Sequence, residues 1–309
     1  MVKFNEYLKK CRQQNGLTQE DLVHALYLHD IEHFEALETT TLSKWERGVT
    51  KPKLAKQVSI MRYFQQLTGR AVPCFEADDI EQGETYICSL GMQGLLGKSK
   101  ELVLNFPSSV IRNEDLSICQ LRHSPLLDQI IEINIDLDKD FNHDTSKFST
   151  EQLREWALNP SNSFYVCEYK EQFFGLLFSL RLKPETFSRI MDMRMEEREL
   201  THEDFASFEE PGCNYIVSFF ALNEKAASLL FMRYYAHLIA NQDNIMEVGL
   251  ATMMDDAKKL IQNMNLRLHK STQRTKELTL YTYRETLPRF LASKEVVRML
   301  LSKQECPEE

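Results

Sequence analysis

No run of about 18 apolar residues occurs in the 309-residue sequence, which argues against a membrane-spanning helix. The opening residues, MVKFNEYLKK, lack the apolar stretch of a secretory signal, so a cytoplasmic protein without a membrane partner is expected. Seven cysteines, an odd number, stand at positions 11, 74, 88, 119, 167, 213 and 306 with no CxxC pair and no zinc spacing. Reduced core thiols are expected rather than a disulfide framework. Cys74, Cys88 and Cys213 lie beside loop signals and are the candidates for a redox-sensing thiol. His29 and His33 are four apart but have no evident third ligand, so an exposed helical face is expected and no metal site.

Glycine is sparse, and four of its ten copies (Gly83, Gly91, Gly94, Gly97) fall between Cys74 and Asp115. Within that stretch GMQGLLGKS, Gly91 to Ser99, invites comparison with a phosphate-binding loop. The GxxxxGKS spacing would need glycine at Met92, and no long helix precedes Pro107, so a hairpin or connector is expected, with strand-like pieces at 85–90 and 101–106. Positive charge is also short overall, with a net charge of -9. That balance argues against nonspecific coating of nucleic acid. It is uneven, however: residues 1–70 hold eleven Lys and Arg against eight Asp and Glu, and the remainder 26 against 38. Contact with phosphates therefore belongs to the N-terminal end.

What is present there is a set of helix signals. Residues 3–15 predict a helix with Phe4, Leu8 and Cys11 inward and Gly16 as its stop. Thr18, followed by Gln19, Glu20 and Asp21, is a capping-box start, and Leu22, Val23 and Leu26 supply an apolar face. A second helix beginning near Thr39 or Thr40 puts Leu42 and Trp45 inward, leaves Thr39, Thr40, Thr41, Ser43 and Lys44 outside, and ends at Gly48. Leu54 to Leu67 forms a further helix with Val58, Met61 and Phe64 as its stripe, closed by Gly69, Arg70 and Pro73.

The strings LTQEDL, TTTLSKWERG and KPKL resemble the Cro and lambda-repressor type of helix-turn-helix, the xenobiotic-response-element (XRE) family, over about a fifth of the chain. The resemblance implies that Gln19 sits against a phosphate, that Thr39, Thr40 and Lys44, flanked by Thr41 and Ser43, face base edges, and that Arg47, Lys51 and Lys53 hold the DNA backbone. It also implies paired half-sites and hence a homodimer on double-stranded DNA. Two departures stand out: Val23 and Tyr27 replace the family's small residue and tight glycine, and about nine extra residues, Leu28 to Ala36, separate the helices. The insertion carries Asp30, Glu32 and Glu35, so it is expected to extend the first helix and point away from DNA.

The remainder reads as alternating strands and helices. Strands are expected at 118–122, 164–168, 173–182, 215–222, 245–250 and 278–283, with a hairpin turn at Glu168 to Glu171. Helices are expected at 150–157 (opened by Ser149), 224–240 and 254–264, and 126–137 is left as a helix or strand. MDMRMEERE at 191–199 reads as a solvated helix or a Met-rich partner surface. Residues 289–304 form an amphipathic helix whose Phe290, Leu291, Val296, Val297, Leu300 and Leu301 dock on their own domain or on a second subunit.

This order resembles the GNAT acetyltransferase fold, with DDAKKLIQNMNLR at 255–267 similar to the family's fourth helix and following turn. The resemblance places Ile261 where active members often keep a tyrosine acid and Asn265 at the usual glycine. Tyr281 and Tyr283 are the remaining candidate acids. In the place of the family's glycine-rich acyl-CoA loop stands Leu222 to Leu230, where Lys225, Ala226, Ala227 and Ser228 are the candidate cofactor-binding residues.

The fold class expected is multidomain: an N-terminal all-α helix-turn-helix domain (1–70), a connector (71–115), a C-terminal α/β (α+β) GNAT-like mixed-sheet domain (116–289) and a C-terminal helix with tail (290–309). The function expected is a sequence-specific transcriptional regulator, more a binding protein than an enzyme. Its GNAT-like domain would dimerise, sense a small-molecule or acyl ligand, or contact protein, with no cofactor required. The alternatives are an active N-acyltransferase using acyl-CoA and placed on DNA by the helix-turn-helix, and a protein-binding scaffold.

Overall fold

In the computed structural model, residues 3–74, 115–141, 148–254, 257–275 and 278–301 are described, and they form two compact units: 3–74 with 288–301, and 115–287. Cys88, Cys306, the Gly91–Ser99 segment and the strands expected at 85–90 and 101–106 lie outside the described residues.

The first unit is helical: α1 (Phe4–Gln14), α2 (Gln19–His29), α3 (Ile31–Phe34), α4 (Thr39–Glu46) and α5 (Leu54–Thr68). Local signals fix their ends. Thr18 and Asp21 form a reciprocal capping box, with Thr18 Oγ1 accepting from the Asp21 amide at 3.1 Å and Asp21 Oδ2 accepting from the Thr18 amide at 2.9 Å. Gly16, Gly48 and Gly69 leave their helices at φ of +67°, +72° and +71°. The insertion is not an extension of α2. Asp30 ends that helix and caps α3 instead, its carboxylate accepting from the His33 amide (3.2 Å) and the Ser59 hydroxyl (2.6 Å), because these contacts stabilise a break more than continued winding would.

Helix α5 is buried on more than one side, from Gln57 through Met61 and again at Phe64 and Gln65. The cause lies at the far end of the chain. The short helix α11 (Leu287–Leu291) is followed by α12 (Lys294–Leu301), which packs on α5 with Val296, Val297, Leu300 and Leu301 buried. Gln65 Nε2 donates to the carbonyls of both Ala71 (2.6 Å) and Pro288 (2.7 Å). The C-terminal stripe thus docks within its own chain.

The second unit is a seven-stranded mixed sheet: β1 (Leu116–Gln120), β2 (Ser163–Tyr169), β3 (Gln172–Leu182), β4 (Gly212–Ala221), β5 (Ile245–Thr252), β6 (Arg267–Gln273) and β7 (Thr279–Thr286), in the spatial order β1-β2-β3-β4-β5-β7-β6. All neighbours are antiparallel except β4 and β5. This is the GNAT-like α/β arrangement the sequence suggested. Helices α6 (Leu127–Phe141), α7 (Thr150–Leu158) and α8 (Pro184–Met191) share one apolar core with the even-numbered residues Leu176, Phe178, Leu180 and Leu182 of β3. The long α9 (Glu224–Ala240) packs against β1 to β4, and α10 (Ala257–Asn263) precedes β6.

Several boundaries differ from expectation. Residues 191–199 are no solvated helix: α8 ends at Met191, Met193 turns at φ +56°, and Met191 and Met195 are buried in the core. Charges between the methionines masked a segment whose apolar side chains point one way. Strand β6, exposed at six of its seven residues, has no alternation to betray it and is held by pairing with β7. Residue Asn265 takes the left-handed turn into it at φ +66°. Among the described residues no helix is long and apolar enough to cross a membrane.

Candidate functional site

Strands β4 and β5 run parallel and pair from Gly212–Ile245 to Ile216–Leu250, where their ladder ends. Both continue, but each stays bonded to its outer neighbour, β4 to β3 as far as Ala221–Gly175 and β5 to β7 as far as Thr252–Tyr281. The β3–β4 register jumps at this level, from Phe178–Ser218 to Ser179–Ile216, so Val217 is a bulged residue that turns β4 away from β5. Gly175 permits the turn: a Cβ there would stand 2.9 Å from the Phe220 carbonyl oxygen and 3.0 Å from Leu230 Cδ1.

The gap between the strands is a cleft of about 120 Å³. Asn134, Leu137 and Asp138 of α6 bound it, with Phe231 of α9, Ala257, Leu260 and Ile261 of α10 and Met264 just after that helix; Ile216 to Phe220 of β4 and Leu250 to Thr252 of β5, continued by Met253 and Met254, form its walls. Most of this surface is apolar. The polar exceptions include Ser218, Thr252, Asn134 and Asp138. An apolar cavity only slightly larger, about 150 Å³, accepts a benzene ring, so the space suits a short aliphatic chain.

None of Lys225, Ala226, Ala227 and Ser228 lines this cleft. They form the first turn of α9, where Asn223 Oδ1 already accepts from the Ala226 amide (2.9 Å) and the Ser228 hydroxyl donates to the Glu224 carbonyl (2.7 Å). Ala226, Ala227 and Ser228 are buried, and the carboxylate side chain of Glu224 is exposed beside them. A pyrophosphate would have to displace the Asn223 cap and approach that carboxylate, so this turn fits the nucleotide end of acyl-CoA poorly. Nor do the candidate acids reach the cleft: Tyr283 is buried on β7, and the half-buried Tyr281 ring has the Lys258 ammonium 4.0 Å from its centre. Ile261 does line it.

In the helical unit, Thr40, Lys44, Arg47, Lys51 and Lys53 are exposed and Gln19, Thr39, Thr41 and Ser43 are half-buried, while Leu42 and Trp45 are in the core. Gln19 is turned to a structural task, its Nε2 donating to Glu46 Oε2 at 2.7 Å. Glu46, missed in the sequence, is the hub: Arg12 donates to both its carboxylate oxygens, at 2.6 and 3.1 Å, tying α4 to α1. Lys56 covers the Trp45 ring at 5.9 Å. Lys3, Arg47 and Lys51 border a second cleft, of about 350 Å³, together with Trp45, Gly48 and Leu301.

The candidate thiols and the His29–His33 pair have structural surroundings. Burial pushes the Cys213 thiol up to about 12, which suppresses the reactive thiolate expected of a redox sensor; Cys74 is buried as well. His33 pairs with Asp30 and the His29 ring meets Tyr63, and no cluster among the described residues has the ligands for a metal ion.

No protein-family model and no curated protein matches the sequence. Solved structures do. FeeM, an N-acyl amino acid synthase from uncultured soil microbes, is 9% identical over 58% of this chain and 93% of its own, with a TM-score of 0.40. An N-acetyltransferase from Staphylococcus aureus Mu50 is 12% identical over 56% and 98%, with a TM-score of 0.38. The AHL synthase LasI is 15% identical over 57% and 92%, also at 0.38. By name these neighbours are an N-acyl amino acid synthase, an N-acetyltransferase and an AHL synthase, and the likeness is one of fold.

Proposed function

We propose that the sheet domain binds an acyl thioester between β4 and β5 and transfers its acyl group to a nucleophile, the thiol being released. The observation that carries this reading is the apolar cleft opened where the β4–β5 ladder stops at Ile216–Leu250. Strand edges freed there offer backbone donors and acceptors to an extended thioester arm, and the apolar lining suits an aliphatic chain. The capped, acid-flanked start of α9 favours a donor recognised by its acyl and thioester portion rather than by a nucleotide. Calorimetry with S-hexanoyl-N-acetylcysteamine, a thioester without a nucleotide, tests it: micromolar binding that is lost when Ile261→Trp fills the cleft is expected. No binding of this probe or of hexanoyl-CoA by folded protein would refute it.

A second reading is favoured by the exposed cations beside α4. Here the helical unit is an XRE-type DNA reader working as a homodimer on paired half-sites, and the acyl ligand is its signal rather than its substrate. Lys44→Ala and Thr40→Ala should each weaken binding to a selected DNA site by about 1–3 kcal/mol, and Arg47→Ala should weaken all sequences alike and flatten the salt dependence. A random-pool selection that enriches no sequence would dismiss this role, while thioester turnover in the absence of DNA would separate the two readings.

A further inference from the structure

Helix α6 presents an apolar stripe to the core, with Ile130, Ile131 and Ile135 buried, and Asn134 stands in the middle of it at 2% exposure. Its Nδ2 is closed off from water with no hydrogen-bond partner. Arg181, Gln57 and Asn223, which also carry an unpaired atom, are anchored elsewhere in the side chain: Arg181 donates to the carbonyls of Ser207, Glu210 and Asn244, Gln57 to that of Pro52, and Asn223 caps α9. Among the described residues the Asn134 side chain has no such anchor.

An amide shut into an apolar stripe without a partner destabilises a fold, and leucine, of similar size, would remove that cost. Asn134 is also one of the few polar residues lining the β4–β5 cleft. That N–H donor, unsatisfied where it stands, gains a partner when the side chain turns to an acceptor oxygen that a ligand brings into the cleft. Asp138, one turn further along α6, lines the same cleft and opposes a second carboxylate there, so the oxygen that fits is uncharged.

We propose that Asn134 reads the carbonyl oxygen of the acyl ligand through Nδ2, so that the cleft selects a thioester over the corresponding thioether and over the free carboxylate. This rests on the reading of the cleft as an acyl-thioester site and adds the residue that recognises the reacting group.

The test uses the full chain and two probes differing in one atom group: S-hexanoyl-N-acetylcysteamine, and S-hexyl-N-acetylcysteamine, in which methylene replaces the carbonyl. Wild type should bind the thioester about tenfold tighter. Asn134→Leu and Asn134→Asp should bind both probes alike at the thioether's strength, and Asn134→Leu should melt no lower than wild type. Equal binding of the two probes by wild type overturns the proposal while leaving the acyl cleft intact, and needs no variant to fold. Retention of the tenfold preference by either variant overturns it too. Binding of neither probe by folded wild type removes the thioester reading and this inference together.

Discussion

At the scale of the residue, burial decides more than residue type. His237 on α9 shares a hydrogen bond of 3.1 Å between its Nε2 and Ser163 Oγ, and its pKa is lowered to about 4, first by burial and then by the charges of Arg181 and Arg233. An unfolded histidine takes up its proton near pH 6.5, so between about 6.5 and 4 the unfolded chain binds a proton that the folded chain refuses. Stability contributed by the neutral ring is complete above that window and is lost as pH falls through it. Melting temperature should therefore drop across this range in wild type, and His237→Gln should flatten the slope by about one proton. An unchanged slope would show that the ring titrates normally. Glu46 teaches the same lesson. Glutamate is most often exposed, yet Glu46 is 7% exposed, with Arg12 and Gln19 saturating its carboxylate.

At the scale of the element, local chemistry sets ends and distant contacts set geometry. Ser149 caps α7 by accepting from the Gln152 amide at 3.1 Å, and α9 spans Glu224 to Ala240 as its periodicity and flanks imply. The cleft has no comparable signature. It exists because β4 keeps its register with β3 through a bulge at Val217 and so leaves β5, and that depends on residues about 40 positions apart in sequence. Gly175→Ala should cost about 1–3 kcal/mol, since the new methyl meets the Phe220 carbonyl at 2.9 Å and must push β4 or Leu230 aside. Chemical denaturation checks the magnitude, and thioester binding should fall with it; a neutral substitution would mean that β4 has freedom the ladder does not suggest.

At the scale of the whole molecule, the chain returns to its first unit: α12 covers α5 with Val296, Val297, Leu300 and Leu301 buried. Each such side chain contributes about 1.5–3 kcal/mol, and together they rival the roughly 5–15 kcal/mol that holds a domain folded. Truncation after Ser293 should therefore strip the helical unit of most of its stability, seen as early proteolysis within residues 3–74, while the sheet unit keeps its own melting transition. Resistance of residues 3–74 in the truncated chain would show that α1 to α5 suffice. A domain boundary drawn along the sequence misses this, because an amphipathic stripe reveals that it will be covered but not by what.

The sequence alone determined the local events: the Thr18 capping box, left-handed turns at Gly16, Gly48, Gly69 and Asn265, and the order of strands and helices in the sheet unit apart from α8 and β6, since these are written within a few neighbouring residues. Only the tertiary structure decided where β4 leaves β5, that Asn134 ends without a partner in the resulting cleft, and that the last helix belongs with the first five. Those outcomes follow from register and burial among residues far apart in the chain, where free energy depends on which surfaces meet rather than on what each segment prefers by itself.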